Sequence, residues 1–437
     1  MRGINFNIYL MLKGIKVRLY PNKKQKDVLN QTLGSCRYVY NRLLSLKQEV
    51  YEESGDNVSF GKMNKVFHNE YRVELDWLRL INTKVIKHSI CNLDQAYTNF
   101  FKHGSGYPKF KAKRNIERCT FPKEAVSRTP FNKEMTDINL IKSLRNLRFK
   151  CSKEYKEYLQ NNKLGIRSVN VTKEKDGTYY ASILVEGNVR RKIDMDKPIN
   201  SSVGVDLGIK TLAFYSNGDS DENPKYYKTE EKSLKRLHQN LSKKQSKSKN
   251  REKARIKLAK KYKKVKNRKL NCLHNITSKL IRENQIIILE DLSVNEMYNG
   301  SKSKGFNKAI QEVGFYEFKR QLGYKCSWYN RDLIIINKWF ASSKTCSKCG
   351  CKNNNLTLSD RIFNCPNPNC KLSIDRDYNA ALNIQREGIK RYHKLVGHRV
   401  PDFKPVDNHY SIDKLKSEFR MFENCNDWLK QEVNVVK

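Results

Sequence analysis

Two cysteine pairs, Cys346-Ser-Lys-Cys349 and Cys365-Pro-Asn-Pro-Asn-Cys370, stand 15 residues apart, and no other feature restricts the local geometry of the chain so tightly. Four thiolates at this spacing close a tetrahedron around one Zn2+, which makes the ion structural and leaves no open position for catalysis. Of the 12 cysteines, five crowd between Cys346 and Cys370 while the other seven are scattered singly. That distribution belongs to a metal site in a reducing compartment, not to a disulfide framework. Cys351 is a spare thiol that could substitute for one of the four, and the four-residue gap of the second pair is wider than usual. Between the pairs, Leu356 to Phe363 reads as a strand that zinc would hold beside the acidic motif that follows.

That motif is one of three. Asp206 ends an apolar strand, Val203-Gly-Val-Asp-Leu-Gly-Ile, and Glu290 ends another, Ile286-Ile-Ile-Leu. A carboxylate at the mouth of a buried strand is costly to desolvate unless a metal or a donor meets it. In Asp375-Arg-Asp-Tyr-Asn-Ala-Ala-Leu-Asn-Ile, Asp375 can cap a helix and Asp377 falls in its first turn, where the helix dipole favours the ionised form. Two Mg2+ ions roughly 3.5–4 Å apart can bind both the attacking and the leaving oxygen of an in-line phosphodiester displacement. Hard cations take oxygen ligands, so Asp and Glu suit this task. In this reading Asp206 bridges the metals while Glu290 and Asp377 each hold one, with Asp375 the competitor to Asp377. Singly, each acid is an ordinary cap or strand-end residue. The order of strand-Asp, hairpin, long insert, strand-Glu, helix, strand, zinc insert and helix-Asp is the chain order of an RNase H-like nuclease.

Elsewhere the periodicity changes along the chain. Lys16 to Tyr20 alternates as a short strand, and Asn22 with Gln25 reads as a capping box. Val28, Leu29, Leu33, Cys36, Val39, Tyr40, Leu43 and Leu44 recur at helical spacing, so residues 21 to about 100 are expected to be helical, with core faces around Trp77, Ile81, Ile90, Leu93 and Phe100. The Gly104-Ser-Gly-Tyr-Pro-Lys-Phe-Lys segment carries Tyr107, Lys109 and Lys111, and reads as a loop beside nucleic acid or as an ordinary basic surface loop. From about 115 to 195 the pattern alternates, with Asp176-Gly177 as a hairpin turn, which predicts a small β-rich domain. After the Asp206 strand come a second strand over Thr211 to Ser216, turning at Asn217-Gly218, and buried strands at Gln285 to Leu289 and Leu333 to Ile336. Lys228 to Lys269 holds 19 Lys and Arg against three Glu. This is expected to be a long basic helical hairpin in which Lys243, Lys244, Arg251, Arg255, Lys260 and Lys261 meet phosphates.

Lys and Arg total 87 against 45 Asp and Glu, a net charge of +42, which points to a polyanionic partner. No apolar run approaches the roughly 20 residues of a membrane span, and Ile4 to Leu12 is too short and too interrupted for a signal peptide. A cytoplasmic protein is expected, nucleoid-associated when bound to DNA. The first ten residues and the tail from 391 to 437 receive no role.

Val203-Gly-Val-Asp-Leu-Gly-Ile-Lys, Ile288-Leu-Glu-Asp-Leu, Trp339-Phe-Ala-Ser-Ser-Lys-Thr-Cys-Ser-Lys-Cys-Gly and Asp375-Arg-Asp-Tyr-Asn-Ala-Ala-Leu-Asn-Ile resemble the signature motifs of the TnpB (OrfB) family of transposon-encoded RNA-guided nucleases, relatives of compact type V CRISPR effectors. Arg18-Leu-Tyr-Pro, Cys36-Arg-Tyr-Val-Tyr-Asn, Gly106-Tyr-Pro-Lys-Phe-Lys and Gln321-Leu-Gly-Tyr-Lys-Cys are similar to its remaining segments, so the resemblance spans residues 13 to 390. It implies an α+β multidomain chain. A wedge β-barrel at 11–20 and 115–195 would be interrupted by a helical recognition domain at 21–114. A RuvC-type nuclease domain at 196–343 and 373–390 would follow, carrying the zinc-binding insert at 344–372 and a tail at 391–437. It further implies a guide RNA from the transposon end, target DNA read beside a short flanking motif, and Asp377 as the third catalytic acid. A monomeric ribonucleoprotein is expected, with a dimer as the alternative.

Other readings separate on simple grounds. A compact type V CRISPR effector shares the architecture and differs in genomic context. An RNA-guided repressor that no longer cuts should have lost an acid, and all three positions are acidic here. A transposase has no evident tyrosine nucleophile, and a guide-free nuclease leaves the basic excess unexplained.

Overall fold

A computed structural model describes residues 8–190 and 201–396, apart from 114, 162–164, 301–302 and 358. The last part of the β-rich stretch, 191–195, and the tail beyond 396 therefore lie outside the described residues. The chain divides into two compact units, residues 1–192 with 255–259, and residues 193–254 with 260–437.

The first unit is built on a six-stranded antiparallel sheet. Its strands are β1 (Ile8–Leu19), β2 (Glu117–Pro122), β3 (Asp137–Ile138), β4 (Leu147–Lys150), β5 (Gly165–Lys173) and β6 (Tyr179–Arg190), in the order β2-β5-β6-β1-β4-β3. β5 and β6 are joined at the expected Asp176-Gly177 turn, where Gly177 takes a positive φ of 82° that a glycine adopts without a Cβ penalty. β1 begins well before the alternation at Lys16 and pairs with β6 along its whole length, from Ile8 opposite Arg190 to Leu19 opposite Tyr179. The first strand of the chain thus sits inside a sheet whose other members come after residue 115, and the helices between are an insertion. Among the described residues no ladder joins edge strands β2 and β3.

The inserted helices are α1 (Lys23–Ser54) and α2 (Thr83–His103), with short helical pieces between residues 60 and 79. The capping box forms as expected: Asn22 Oδ1 accepts the Gln25 N–H and Gln25 Oε1 accepts the Asn22 N–H, both at 2.9 Å. Gly55 ends α1 in the left-handed region. The apolar stripe of α1 from Leu29 to Leu44 is buried, and so are Ile81, Ile90 and Leu93. Helices and sheet share one continuous core, in which Leu33 and Val39 belong with Val17, Phe121 and Ile183. Trp77 is a correction. It is 37% exposed, packed edge-on against Tyr38, because the chain leaves helical dihedrals at Leu75 and the face projected from one continuous helix is lost there. Phe100 is only partly buried.

The second unit holds a five-stranded sheet, order β11-β10-β7-β8-β9. β7 (Ser202–Leu207), β8 (Thr211–Tyr215) and β9 (Ser220–Glu222) form an antiparallel meander, whereas β10 (Ile286–Glu290) and β11 (Asp332–Ile336) run parallel to β7. Between β9 and β10 lies the expected basic hairpin, α3 (Tyr226–Ser242) and α4 (Lys249–Glu283). Strand β10 is apolar on both faces because both are covered. Ile287 and Leu289 pack with Leu280 of α4 and with Phe318 and Leu322 of α5 (Phe315–Tyr329), while Ile286 and Ile288 pack with Ile384 of the last helix, α6 (Arg376–Val396). That helix crosses β7 so closely that a Cβ on Gly204 would stand 2.6 Å from the Gln385 backbone nitrogen.

Candidate active site and zinc centre

β7 and β10 run in parallel with Leu289 beside Val205, so the next residues of the two strands, Glu290 and Asp206, project side by side on one face. Asp377 enters from the first turn of α6. Burial of its carboxyl pushes Asp206 up to about 7, and the charges of Asp377 and Glu290 push in the same direction. Burial also raises Glu290, against the Ser342 hydroxyl that donates to it at 3.2 Å. Asp377 is raised by burial and then by Asp375, with Arg361, Arg376 and Lys210 acting the other way. Asp377 and Glu290 thus lie near enough to Asp206 to disfavour its ionised form, although among the described residues the only set of side chains close enough together to hold a metal is the four cysteines.

Asp375 has another task. Its Oδ1 accepts the N–H groups of Asp377 and Tyr378 at 2.9 and 3.0 Å, which caps α6.

Around the acids lie groups that local sequence patterns do not reveal. Asn379 and Asn383 are buried on α6 and grip the segment after β11. Asn379 accepts the Ser347 N–H at 2.9 Å and donates to the Thr345 carbonyl, and Asn383 donates to the Ser342 carbonyl at 2.8 Å. The Arg376 guanidinium donates to the carbonyls of Thr357 and Asp360 in the cysteine-bearing insert. The spacing of Asn379 and Asn383, one turn apart on the helix that carries Asp377, was the available signal.

Cys346, Cys349, Cys365 and Cys370 bring their sulfurs within 4.8 Å of one another. The pairs Cys346–Cys370 and Cys349–Cys365 stand at 3.7 and 3.5 Å, far beyond a disulfide bond of about 2.05 Å and close to the sulfur separation of roughly 3.8 Å in a tetrahedron with Zn–S near 2.3 Å. The donor set fits zinc. Cys351 is not part of this cluster; its carbonyl accepts the Cys346 N–H, so the spare thiol serves through its backbone. The expected strand over 356–363 shortens to Ile362–Asn364, which pairs with Ser373–Asp375, placing Ile362 opposite Asp375.

The expected nucleic-acid residues divide. Tyr107, Lys109, Lys243, Lys244 and Lys260 are exposed, and Arg255 is partly so. Lys111 is exposed as well, with its ammonium 3.4 Å from the Tyr40 ring centre and its backbone held by the Asn41 amide. Arg251 donates to the carbonyls of Leu241 and Lys244 at the end of α3, and Lys261 pairs with Glu230.

Known proteins share these motifs. Residues 169–300 match the OrfB_IS605 family, described as "Probable transposase", residues 315–384 match the Cas12f1-like TNB domain, and residues 11–56 match a helix-turn-helix domain of the OrfB group. These matches class the chain with OrfB proteins. A Streptomyces pristinaespiralis protein named "Putative RNA-guided DNA endonuclease" is 29% identical over 378 residues, covering 86% of this chain and 89% of the relative. InsQ of Escherichia coli K12, given the same name, is 27% identical over 390 residues, covering 86% and 92%. A TnpB-like protein of Methanocaldococcus jannaschii is 32% identical over 205 residues, covering 44% of this chain and 71% of the relative. The chain belongs to the TnpB family. The helix-turn-helix description does not fit its fold at residues 11–56, where a strand is followed by one 32-residue helix with no internal turn.

Proposed function

We propose that this protein is an RNA-guided DNA endonuclease of a transposable element, cutting guide-matched DNA at a RuvC-type site formed by Asp206, Glu290 and Asp377. The observation that carries the reading is the approach of three half-buried carboxylates, two on adjacent parallel strands and one on α6, which together with burial push Asp206 up against the opposing charge of Arg376. Such a cluster is costly alone and becomes favourable when divalent cations enter it. The strand order, an antiparallel meander followed by two parallel strands on its first-strand side, is the one expected of an RNase H-like domain.

Two Mg2+ ions held by these carboxylates would supply charge for the phosphate oxygens and an acidified water for in-line attack. The chain's own residues do the positioning. Ser342 orients the Glu290 carboxylate, and the Asp375 cap fixes the first turn that presents Asp377. Arg361 and Lys210, near enough to Asp377 to lower its pKa, add positive charge where a phosphate would approach. Guide RNA and target DNA would be held by the basic excess, with Lys243, Lys244 and Lys260 as phosphate contacts and Tyr107 and Lys109 on the loop after α2. Zinc on the four cysteines would be structural.

The discriminating experiment is a comparison of Asp377→Ala with Asp375→Ala in Mg2+-dependent cutting by the ribonucleoprotein. Loss in the first with residual cutting in the second supports the assignment. The reverse order would move the third ligand to Asp375.

A further inference from the structure

Trp339 is 80% exposed, the highest value of any large apolar side chain among the described residues. Water around an indole is unfavourable, yet the backbone here is tightly fixed. The Trp339 N–H donates to Asn337 Oδ1 at 3.0 Å, the Phe340 N–H to the Asn337 carbonyl at 3.0 Å and the Ser342 N–H to the Phe340 carbonyl at 2.8 Å. Phe340 turns into the core beside Ile336 and Ile384, so its neighbour Trp339 is turned out. Lys338 sets its ammonium 4.8 Å from the indole centre and is itself held by Glu296 at 2.8 Å.

The place of this turn matters. Ile336, three residues before Trp339, lies beside Glu290 in the β10–β11 ladder, and the Asp291 N–H donates to its carbonyl. Ser342, three residues after, donates to the Glu290 carboxylate. Trp339 is thus tethered on both sides to a proposed metal ligand.

We infer that Trp339 is a stacking platform for one unpaired base of the DNA strand being cut, next to the scissile phosphate. The inference rests on the nuclease reading above. An exposed indole with a lysine ammonium at its ring matches a nucleotide, base on the ring and phosphate toward the cation. A paired base is already stacked in its duplex, so the platform selects single-stranded DNA. Trp339 acts by positioning and touches no metal.

The test uses the full-length ribonucleoprotein. Trp339→Ala is expected to slow cutting of matched DNA by about 5- to 150-fold, the range of one base–aromatic stack, while Trp339→Phe stays within a few-fold and Trp339→Leu behaves as the alanine variant. Guide RNA binding and zinc content should be unchanged. A second readout needs no cutting: the emission present in wild type and absent in Trp339→Phe should be quenched by oligo(dT) and, before that addition, by acrylamide. Cutting by Trp339→Ala at the wild-type rate, or Leu equal to Phe, would overturn the inference. So would an indole shielded from acrylamide in the chain alone, which would mean that another part of the protein covers it. If wild type cuts nothing, the nuclease reading fails, and oligo(dT) quenching still decides whether the platform exists.

Discussion

Asn383 on α6 donates to the Ser342 carbonyl at 2.8 Å, and the Ser342 hydroxyl donates to Glu290 at 3.2 Å. The helix that delivers Asp377 therefore also sets the loop that orients Glu290, and Asn379 extends the same grip to Ser347 beside Cys346. Two acids more than 80 residues apart in sequence are held by one helix.

Removing this link should be felt twice. Asn383→Ala leaves a buried carbonyl without its donor, at a cost of about 1–3 kcal/mol, and frees Ser342 from its hold. A lower thermal midpoint with a reduced cutting rate at saturating Mg2+ is expected. A stability loss with unchanged cutting would show that the helix holds the fold but not Glu290.

The zinc ligands should separate cleanly from the spare thiol. Cys365→Ser is expected to lose bound zinc and to disorder the turn at 342–347, lowering cutting along with it, while Cys351→Ser keeps one zinc per chain. Metal analysis of the purified variants checks both. Equal zinc loss in the two would mean that Cys351 is a ligand after all.

The carboxylate cluster makes a prediction of opposite sign for fold and function. Burial pushes Asp206 up to about 7 from an ordinary 3.8, so between those values the metal-free folded state is expected to bind more protons than the unfolded chain. Stability should therefore fall as pH rises through that window. Asp206→Asn removes the charge, and in EDTA at pH 8 it should melt higher than wild type while cutting nothing when Mg2+ is restored. Denaturation curves at pH 5 and pH 8 read the effect. A variant less stable than wild type at pH 8 would mean that the carboxylate is a structural partner.

Gly204 has a packing role and no chemical one. Gly204→Ala would drive a methyl into the α6 backbone near Ala381 and Gln385, where neither strand nor helix can yield cheaply. A loss of about 1–3 kcal/mol in unfolding free energy, read as a lower urea midpoint, is expected. A neutral effect would mean that α6 is loosely seated on the sheet.

Much of this was legible because local chemistry dictated it: the Asn22 cap, the Asp176-Gly177 turn, the strand-end acids and the paired cysteines each carry their signal within a few residues. What failed depended on distance. Trp77 was projected onto a core face by a periodicity that breaks at Leu75. That the Lys111 ammonium stands over the Tyr40 ring is likewise beyond what the loop's sequence carries. One core joins the helical segment to the β-rich one, a long-range contact that alternation and periodicity do not carry. Asp375 and Asp377 cannot be ranked by spacing, since both suit a helix start, and the fold adds that Asp375 Oδ1 caps the helix. Ser342, Asn379 and Asn383 lie inside the quoted motifs, but their tasks, like that of Arg361, depend on what lies across the fold.

The most direct measurement is cutting of a plasmid bearing a target matched to the co-purifying RNA, with randomised flanking bases and Mg2+, by wild type and Asp206→Ala. Cutting by wild type alone, dependent on the matched RNA and enriched for one flank, is the predicted result. Cutting by Asp206→Ala, or by wild type without RNA, would contradict the account.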